Sequence, residues 1–126
     1  MVKKSWKTKK KKTIEAGMHT GTIVKVERRL KPFDYTDFHI KLDNSEQIIK
    51  WDTPSDITFT EDGEPSTKLA KFLRDLKIDV QIGEDIDLEE MLVGRRVQFT
   101  TINETHAKGI FAKIIDGTVA LLQEQK

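Results

Sequence analysis

The stretch GTIVKVERRLKPFDYTDFHIKLD, residues 21–43, decides the fold. Its second half alternates apolar with polar residues, which is the period-2 pattern of a strand with one buried and one wet face. The apolar set is Phe38, Ile40 and Leu42, and the polar set is Tyr35, Asp37, His39, Lys41 and Asp43. Pro32 predicts a turn before this strand, and the β-branched run before the turn predicts a long first strand. Gly21 inside that run predicts a bulge or bend.

The rest of the chain continues a mainly β pattern with two helices in the middle. The predicted elements are strands at 17–30, 35–43, 46–52, 95–102 and 108–115, helices at 66–76 and 87–93, and a short final strand at 118–122. Asp87 and Glu90 fit a capping-box-like helix start, and Gly94 ends that helix. A loop is predicted at 103–107. The first three strands therefore form a meander, followed by the helices and a closing hairpin.

Charge is divided unequally along the chain. Of its 126 residues, 22 are Lys or Arg and 21 are Asp or Glu, and residues 1–12 contain seven lysines and no acid. Removing these seven leaves 15 bases against 21 acids, a net charge of −6, for residues 13–126. A block of like charges repels itself and stays solvated, so we expect a flexible lysine-rich tail at 1–13 and a single domain at 14–126.

The composition excludes several classes of function. The chain contains no cysteine, which excludes disulfides, thiolate metal sites and cysteine nucleophiles. No apolar run follows the basic N-terminus and none is long enough to span a bilayer, so we expect no secretory signal, no membrane partner and a cytoplasmic location. No nucleophile elbow, HExxH motif or phosphate loop is present, which predicts a non-catalytic protein without a metal or cofactor.

Residues 17–115 resemble the OB-fold single-strand-binding domains of the replication protein A and SSB type, in their archaeal or phage-like forms. The resemblance lies in the glycine-marked first strand GMHTGTIVKVE, the meander, the helix between strands three and four, and the closing hairpin. It implies a mainly β fold, a five-stranded OB-fold-like Greek-key barrel with a helical insert between strands 3 and 4. It also implies binding of single-stranded nucleic acid, with DNA favoured, in a replication or recombination role.

The same resemblance implies a binding face on strands two and three, flanked by the loops between strands one and two and between strands four and five. The loop residues at these positions are Arg28, Arg29, Lys31, Phe33, His106 and Lys108, and the strand residues are Tyr35, His39, Lys41, Lys50 and Trp51. A single strand needs rings for stacking and cations along its phosphates, and this set supplies both. Lys9, Lys10, Lys11 and Lys12 of the tail are expected to contact phosphates and release counterions.

Each of these groups also has a purely structural interpretation. Phe38 is in phase with Ile40 and Leu42 and is expected in the core, and Phe72, Phe99 and Phe111 are expected there too. Trp51 shares a face with Ile49 and is either core or ligand-facing. Asp34, Asp37 and Asp43 weigh against a strongly basic groove. The tail could be a solubilising terminus or an arm that folds back on its own acidic body.

The acidic segment 84–92, EDIDLEEML, indicates a second class of function, a protein–protein interaction module. Leu88, Met91 and Leu92 would face a protein partner there, or would instead pack the short helix on the barrel. A divalent-metal enzyme using these acids is a third hypothesis. The segment lacks the ligand spacing and glycine of an EF-hand loop, however, and a helix N-terminus alone accounts for acids at this place.

Overall fold

The computed structural model describes residues 5–6, 14–43 and 45–122. Its elements, in chain order, are β1 Gly17–Arg29, β2 Tyr35–Leu42, β3 Ile48–Pro54, α1 Lys68–Asp75, α2 Leu88–Leu92, β4 Arg96–His106, β5 Gly109–Ile114 and β6 Ala120–Leu121. The protein is mainly β, as predicted, and both helices lie between β3 and β4. No helix in the described ranges is long and apolar enough to cross a membrane.

All the strands belong to one antiparallel sheet with the order β3-β2-β1-β4-β5, and β6 pairs with β4. β1 pairs with β2 and β2 with β3, which confirms the predicted meander. β3 and β5 are the end strands of this order, and no ladder joins them in the described part of the chain. The two strands are nevertheless in contact. The Trp51 indole N–H of β3 donates a 3.0 Å hydrogen bond to Asp116, just beyond β5.

β1 is shared between two neighbours along its length. Its first six residues pair with β4, and from Gly21 onward it pairs with β2. Where the two pairings overlap, a Cβ added to Gly21 would lie 2.5 Å from the Lys41 carbonyl oxygen, so the backbones are too close for any side chain. The register shift lies between Ile23 and Lys25 rather than at Gly21, which corrects the predicted position of the bulge.

The core lies between the sheet and α1 and contains a cluster of three rings. Trp51 packs on Phe72 of α1 with centroids 4.6 Å apart, and Phe38 lies 4.7 Å from Phe72. Such pairs add about 0.5–1.5 kcal/mol each beyond the burial of their area. Phe38, Phe72 and Phe99 are buried as predicted. Phe111 is exposed, contrary to prediction, because it lies where β5 extends beyond the core.

Side-chain caps start both helices. Thr67 caps α1 by accepting a 3.3 Å hydrogen bond from the Ala70 amide. Asp87 caps α2 by accepting a 3.2 Å hydrogen bond from the Glu90 amide, which confirms the predicted cap. These bonds satisfy amides that have no partner within the helix, and they fix where each short helix begins.

The apolar residues of α2 attach it to the sheet. Leu92 is buried, and Leu88 and Met91 pack partly against the core. Leu92 therefore packs the short helix on the sheet, while Leu88 and Met91 remain half-buried.

The last long hairpin is a ribbon that extends beyond the core. β4 continues to His106, and the turn contains only Ala107 and Lys108, so the predicted loop at 103–107 is wrong. Thr105 pairs with Ile110 within this ribbon. Most of its residues are exposed on both faces. A strand that is exposed to solvent on both faces shows no alternation of apolar and polar residues. For this reason the sequence at 103–107 resembles a loop.

Replacement of Gly21 by Ala is expected to lower the free energy of unfolding by about 1–3 kcal/mol, because the added methyl group overlaps the Lys41 carbonyl and forces β1 and β2 apart. Urea unfolding followed by circular dichroism measures the loss. Thr22→Ala, at the next position of β1, is the control and should cost at most about 1 kcal/mol. Equal losses from the two substitutions would contradict the close-approach explanation.

Candidate nucleic-acid interface

The outer face of β1, β2 and β3 carries cross-strand rows that follow from the sheet register. Starting at the β1–β2 loop, the rows are Arg29, Tyr35 and Pro54; Glu27, Asp37 and Asp52; Lys25, His39 and Lys50; and Thr22, Lys41 and Ile48. The alternate residues of β2 and β3 point into the core. Directly opposed side chains in a sheet have Cβ atoms about 4.5–5.5 Å apart, so charges within and between neighbouring rows interact.

Every acid in the second row has a basic partner. Lys25 Nζ lies 2.9 Å from Glu27 Oε2. Arg29 donates hydrogen bonds of 2.6 and 3.0 Å to the Asp37 carboxylate, and its Nη2 lies 3.7 Å from Asp52 Oδ2. The hydrogen bond from Lys25 lowers the pKa of Glu27, and the hydrogen bonds from Arg29 lower the pKa of Asp37. The three acids of the row thus share two bases, and a formal charge of −1 remains.

Asp37 does not lie on the wet surface as predicted. Its side chain is only 2% exposed, because it sits on the central strand of the three and under the bidentate Arg29 guanidinium. A buried carboxylate stays ionised only with a partner of this kind. The acid that was expected to oppose a basic groove is thus neutralised by Arg29, a residue of the predicted site.

Tyr35 is held beside this ion pair. The guanidinium carbon of Arg29 lies 5.6 Å from the centroid of the Tyr35 ring, which is a cation–π contact. The ring is half-buried and stands at the first residue of β2, where the loop from β1 enters the sheet. Arg29 therefore fixes the position of the aromatic ring as well as the charge of the row.

The loop at 30–34 carries the exposed ring of Phe33, and hydrogen bonds at Asp34 hold the end of this loop in place. Arg28 donates hydrogen bonds of 2.8 and 2.6 Å to Asp34, and the Ser55 amide donates one of 3.0 Å to the Asp34 carbonyl. The Arg28 hydrogen bond, followed by a separate hydrogen bond from Ser55 to the Asp34 side chain, lowers the pKa of Asp34 to about 2. Phe33 is 70% exposed, so it is not a core residue, and its ring is open to a stacked base.

Three predicted lysines in the first loop and on the outer face lack a close ion pair. Lys31, Lys41 and Lys50 form none with any residue that the structure describes, although the charge of Lys50 helps to lower the pKa of Asp37 in the next row. Between Lys25 and Lys50 lies His39, whose Nε2 is buried without a hydrogen-bond partner among the described atoms. The third and fourth rows therefore form a cationic band beside the row of paired acids.

Trp51 belongs to the core, and its place in the predicted site is wrong. It is 6% exposed because α1 packs Phe72 against its ring and Asp116 accepts its indole N–H, so it offers no face for a base. Its neighbour Lys50 points outward by strand alternation. The four predicted tail residues, Lys9, Lys10, Lys11 and Lys12, lie outside the described residues.

His106 and Lys108 lie at the tip of the β4–β5 ribbon. His106 Nε2 is 3.2 Å from Glu104 Oε2, and its ring centroid is 5.6 Å from that of Phe111. Within residues 14–43 and 45–122, no hydrogen bond or ion pair joins His106 or Lys108 to the outer face of β1–β3. The sheet and its first loop bring together Arg29, Lys31, Phe33, Tyr35, His39, Lys41 and Lys50. Arg28 is not part of this face, because it lies opposite Thr36 and lines a cleft on the core side of the sheet.

Lys25 is a residue of the outer face that strict period-2 alternation does not predict there. Alternation places Lys25 on the same face as the buried Ile23. The register shift turns Lys25 outward, where it pairs with Glu27 and opposes His39. A signal for this is present in the sequence, because Ile23 and Val26 are both apolar and three residues apart. They can share the buried face only if a bulge lies between them.

Comparison with known proteins adds no family to this description, since the chain matches no protein-family model and no curated protein. Among the residues that the structure describes, no group of three or more His, Cys, Asp or Glu side chains could hold a metal ion. The candidate interface is therefore defined by its own geometry and charge.

Acidification is expected to destabilise the protein as Asp37 becomes protonated. Because Arg29 lowers the pKa of Asp37 in the folded state, its contribution is complete above the unfolded-state pKa of about 3.9 and is lost as the pH falls through the lower folded value. Asp37→Asn should lower the stability at neutral pH and flatten the acid-induced loss, which urea unfolding across a pH series measures.

Asp52→Asn is the matched control, since this carboxylate is half-exposed and 3.7 Å from Arg29. It should keep the wild-type acid profile. An Asp37→Asn protein with the wild-type profile would show that the Asp37–Arg29 pair does not contribute to acid stability.

Proposed function

We propose that this protein is an intracellular, non-catalytic module that binds single-stranded nucleic acid, with DNA favoured, in a replication or recombination role. The site is the outer face of β1–β3 with the loop at 30–34. The observation that carries the proposal is the charge pattern of this face. Its acids are paired, whereas Lys31, Lys41 and Lys50 have no ion-pair partner in the described ranges.

The sheet order supports an OB-fold-like barrel. The order β3-β2-β1-β4-β5, with β3 and β5 in contact, fits a five-stranded Greek-key barrel that is open between these two strands. Barrels of this kind bind oligonucleotides on the face of strands 2 and 3 and on the loops between strands 1 and 2 and between strands 4 and 5. Here these places correspond to the cationic band, the loop at 30–34 and the turn at Ala107 and Lys108.

Bases and phosphates would be bound by different parts of the site. Phe33 and Tyr35 stack on bases, at about 1–3 kcal/mol per base. Lys31, Lys41 and Lys50 contact phosphates. Each contact contributes about −0.7 to the slope of log K against log salt concentration, so the three together give a slope near −2. Bases within a duplex are already stacked and paired, so their faces do not reach these rings and the single strand is preferred.

Phe33→Ala is expected to weaken binding of a labelled oligothymidine by about 5- to 150-fold, which corresponds to the loss of one stacked base. Lys50→Gln should reduce the salt slope by about 0.7. Fluorescence anisotropy at several salt concentrations measures both quantities. Lys71→Gln is the matched control, because Lys71 is exposed on α1, which packs on the core side of the sheet. It should change neither quantity.

Two results would contradict the proposal. One is binding that is unchanged by Phe33→Ala and Lys50→Gln but is lost when Lys9, Lys10, Lys11 and Lys12 are replaced by Gln. That result would place the affinity in the tail alone. The other is a duplex that competes as well as the single strand of the same sequence.

A further inference from the structure

Two adjoining clefts of mixed polar and apolar lining form one groove between the segment after β3 and the segment before α2. The first has a volume of about 390 Å³ and the second of about 320 Å³, and they share Ile57 and Ile86. Val80, Ile82 and Leu88 add to the lining. Ile82 is 76% exposed, so part of this apolar surface is in water. The groove is large enough to accept apolar side chains from another segment.

The chain around this groove is strongly acidic. Residues 55–66 and 79–92 contain ten Asp or Glu residues and no Lys or Arg. None of the ten carboxylates has an ion pair within the described residues, whereas the acids on the outer face of β1–β3 all have basic partners. Arg28, a basic residue in the lining, is already bound to Asp34. The groove therefore combines an apolar floor with uncompensated negative charge.

The N-terminal segment of the same chain has the complementary chemistry. Residues 1–12 carry seven lysines and no acid, together with the apolar side chains of Val2 and Trp6. Trp6 is 87% exposed, which leaves the largest apolar side chain type in contact with water. Lysines of this segment would pair with the acids around the groove, and the indole would cover its apolar floor.

The exposure of Trp6 favours the groove of another copy. Its indole is 87% exposed, so it does not cover the apolar floor of the groove in its own chain. Ile82 in that floor is likewise left in water within the single chain. A second copy can bring the same segment to this groove.

We propose that the lysine-rich segment of one copy binds the acidic groove of a second copy and links the copies head to tail. The contact is heterologous, because segment and groove are different surfaces, so each end of a pair can bind a further copy. Exposed ion pairs are individually weak, and the association depends on many of them acting together. Both surfaces belong to the protein, so the association needs no nucleic acid.

Sedimentation velocity of the full-length chain at about 0.1 M and about 1 M salt tests this, since the Debye length falls from about 10 Å to about 3 Å. We expect concentration-dependent association at the lower salt and a monomer at the higher. The tail variant is Lys9→Gln, Lys10→Gln, Lys11→Gln and Lys12→Gln, and the groove variant is Glu84→Gln, Asp85→Asn and Glu89→Gln. Asp87 is kept because it caps α2.

Mixing the two variants gives the sharpest result. Each variant alone should sediment as a monomer, because one lacks a working segment and the other a working groove. An equimolar mixture should form dimers that grow no further, since each pair contains one working segment and one working groove. Circular dichroism and urea unfolding confirm that both variants keep the wild-type fold.

Two controls separate charge pairing from general charge effects. Arginine at the four tail positions keeps the charge and should keep the association. Glu27→Gln, Glu46→Gln and Glu104→Gln remove three acids elsewhere and should leave it intact. A wild-type monomer at both salt concentrations would overturn the proposal, as would association that persists in the tail variant. A monomer in which both tryptophans, the buried Trp51 and Trp6, are shielded from acrylamide would also overturn it, since the segment would then lie on its own chain.

Discussion

The Arg29 guanidinium makes the contact on which the outer face of the sheet depends. It donates two hydrogen bonds to the buried carboxylate of Asp37, lies 3.7 Å from Asp52 and contacts the Tyr35 ring. Without a partner, the Asp37 charge would be buried in the middle strand of three, which is strongly unfavourable. Arg29 is itself partly exposed, so water moderates that cost. One side chain thus satisfies a buried acid, lies close to a second acid and contacts an aromatic ring.

The distribution of acids explains how an anionic domain can offer a cationic face. A net charge of −6 on residues 13–126 would repel a polyanion at long range. Ten of the acids, however, lie in the segments 55–66 and 79–92 around the groove, and the acids of the outer face are paired. Because salt screens distant charges, the nearby rows dominate the potential at the outer face. The same partition leaves the groove with a negative charge that a basic segment can compensate.

The sequence predicts elements well where apolar periodicity has a single structural meaning. β2, α1 and the Asp87 cap follow from local patterns of this kind. Prediction fails where a backbone irregularity or a contact with a distant residue determines which way a side chain points or whether it is buried. The bulge after Ile23 turns Lys25 outward, and α1 buries Trp51 by placing Phe72 on it. The residues of the outer face could be predicted from their phase in the strands. Their ion pairing could not, because it depends on register and on that bulge.

Amide chemical-shift mapping of the full-length chain with a short oligothymidine, at about 0.1 M salt, tests the central claim most directly. If the outer face of β1–β3 is the binding site, the amides of residues 31–35 and 39–41 and that of Lys50 shift on titration, and the amides of α1 do not. Shifts confined to the first 13 residues, or to the groove segments 55–66 and 79–92, would contradict a binding site on the sheet.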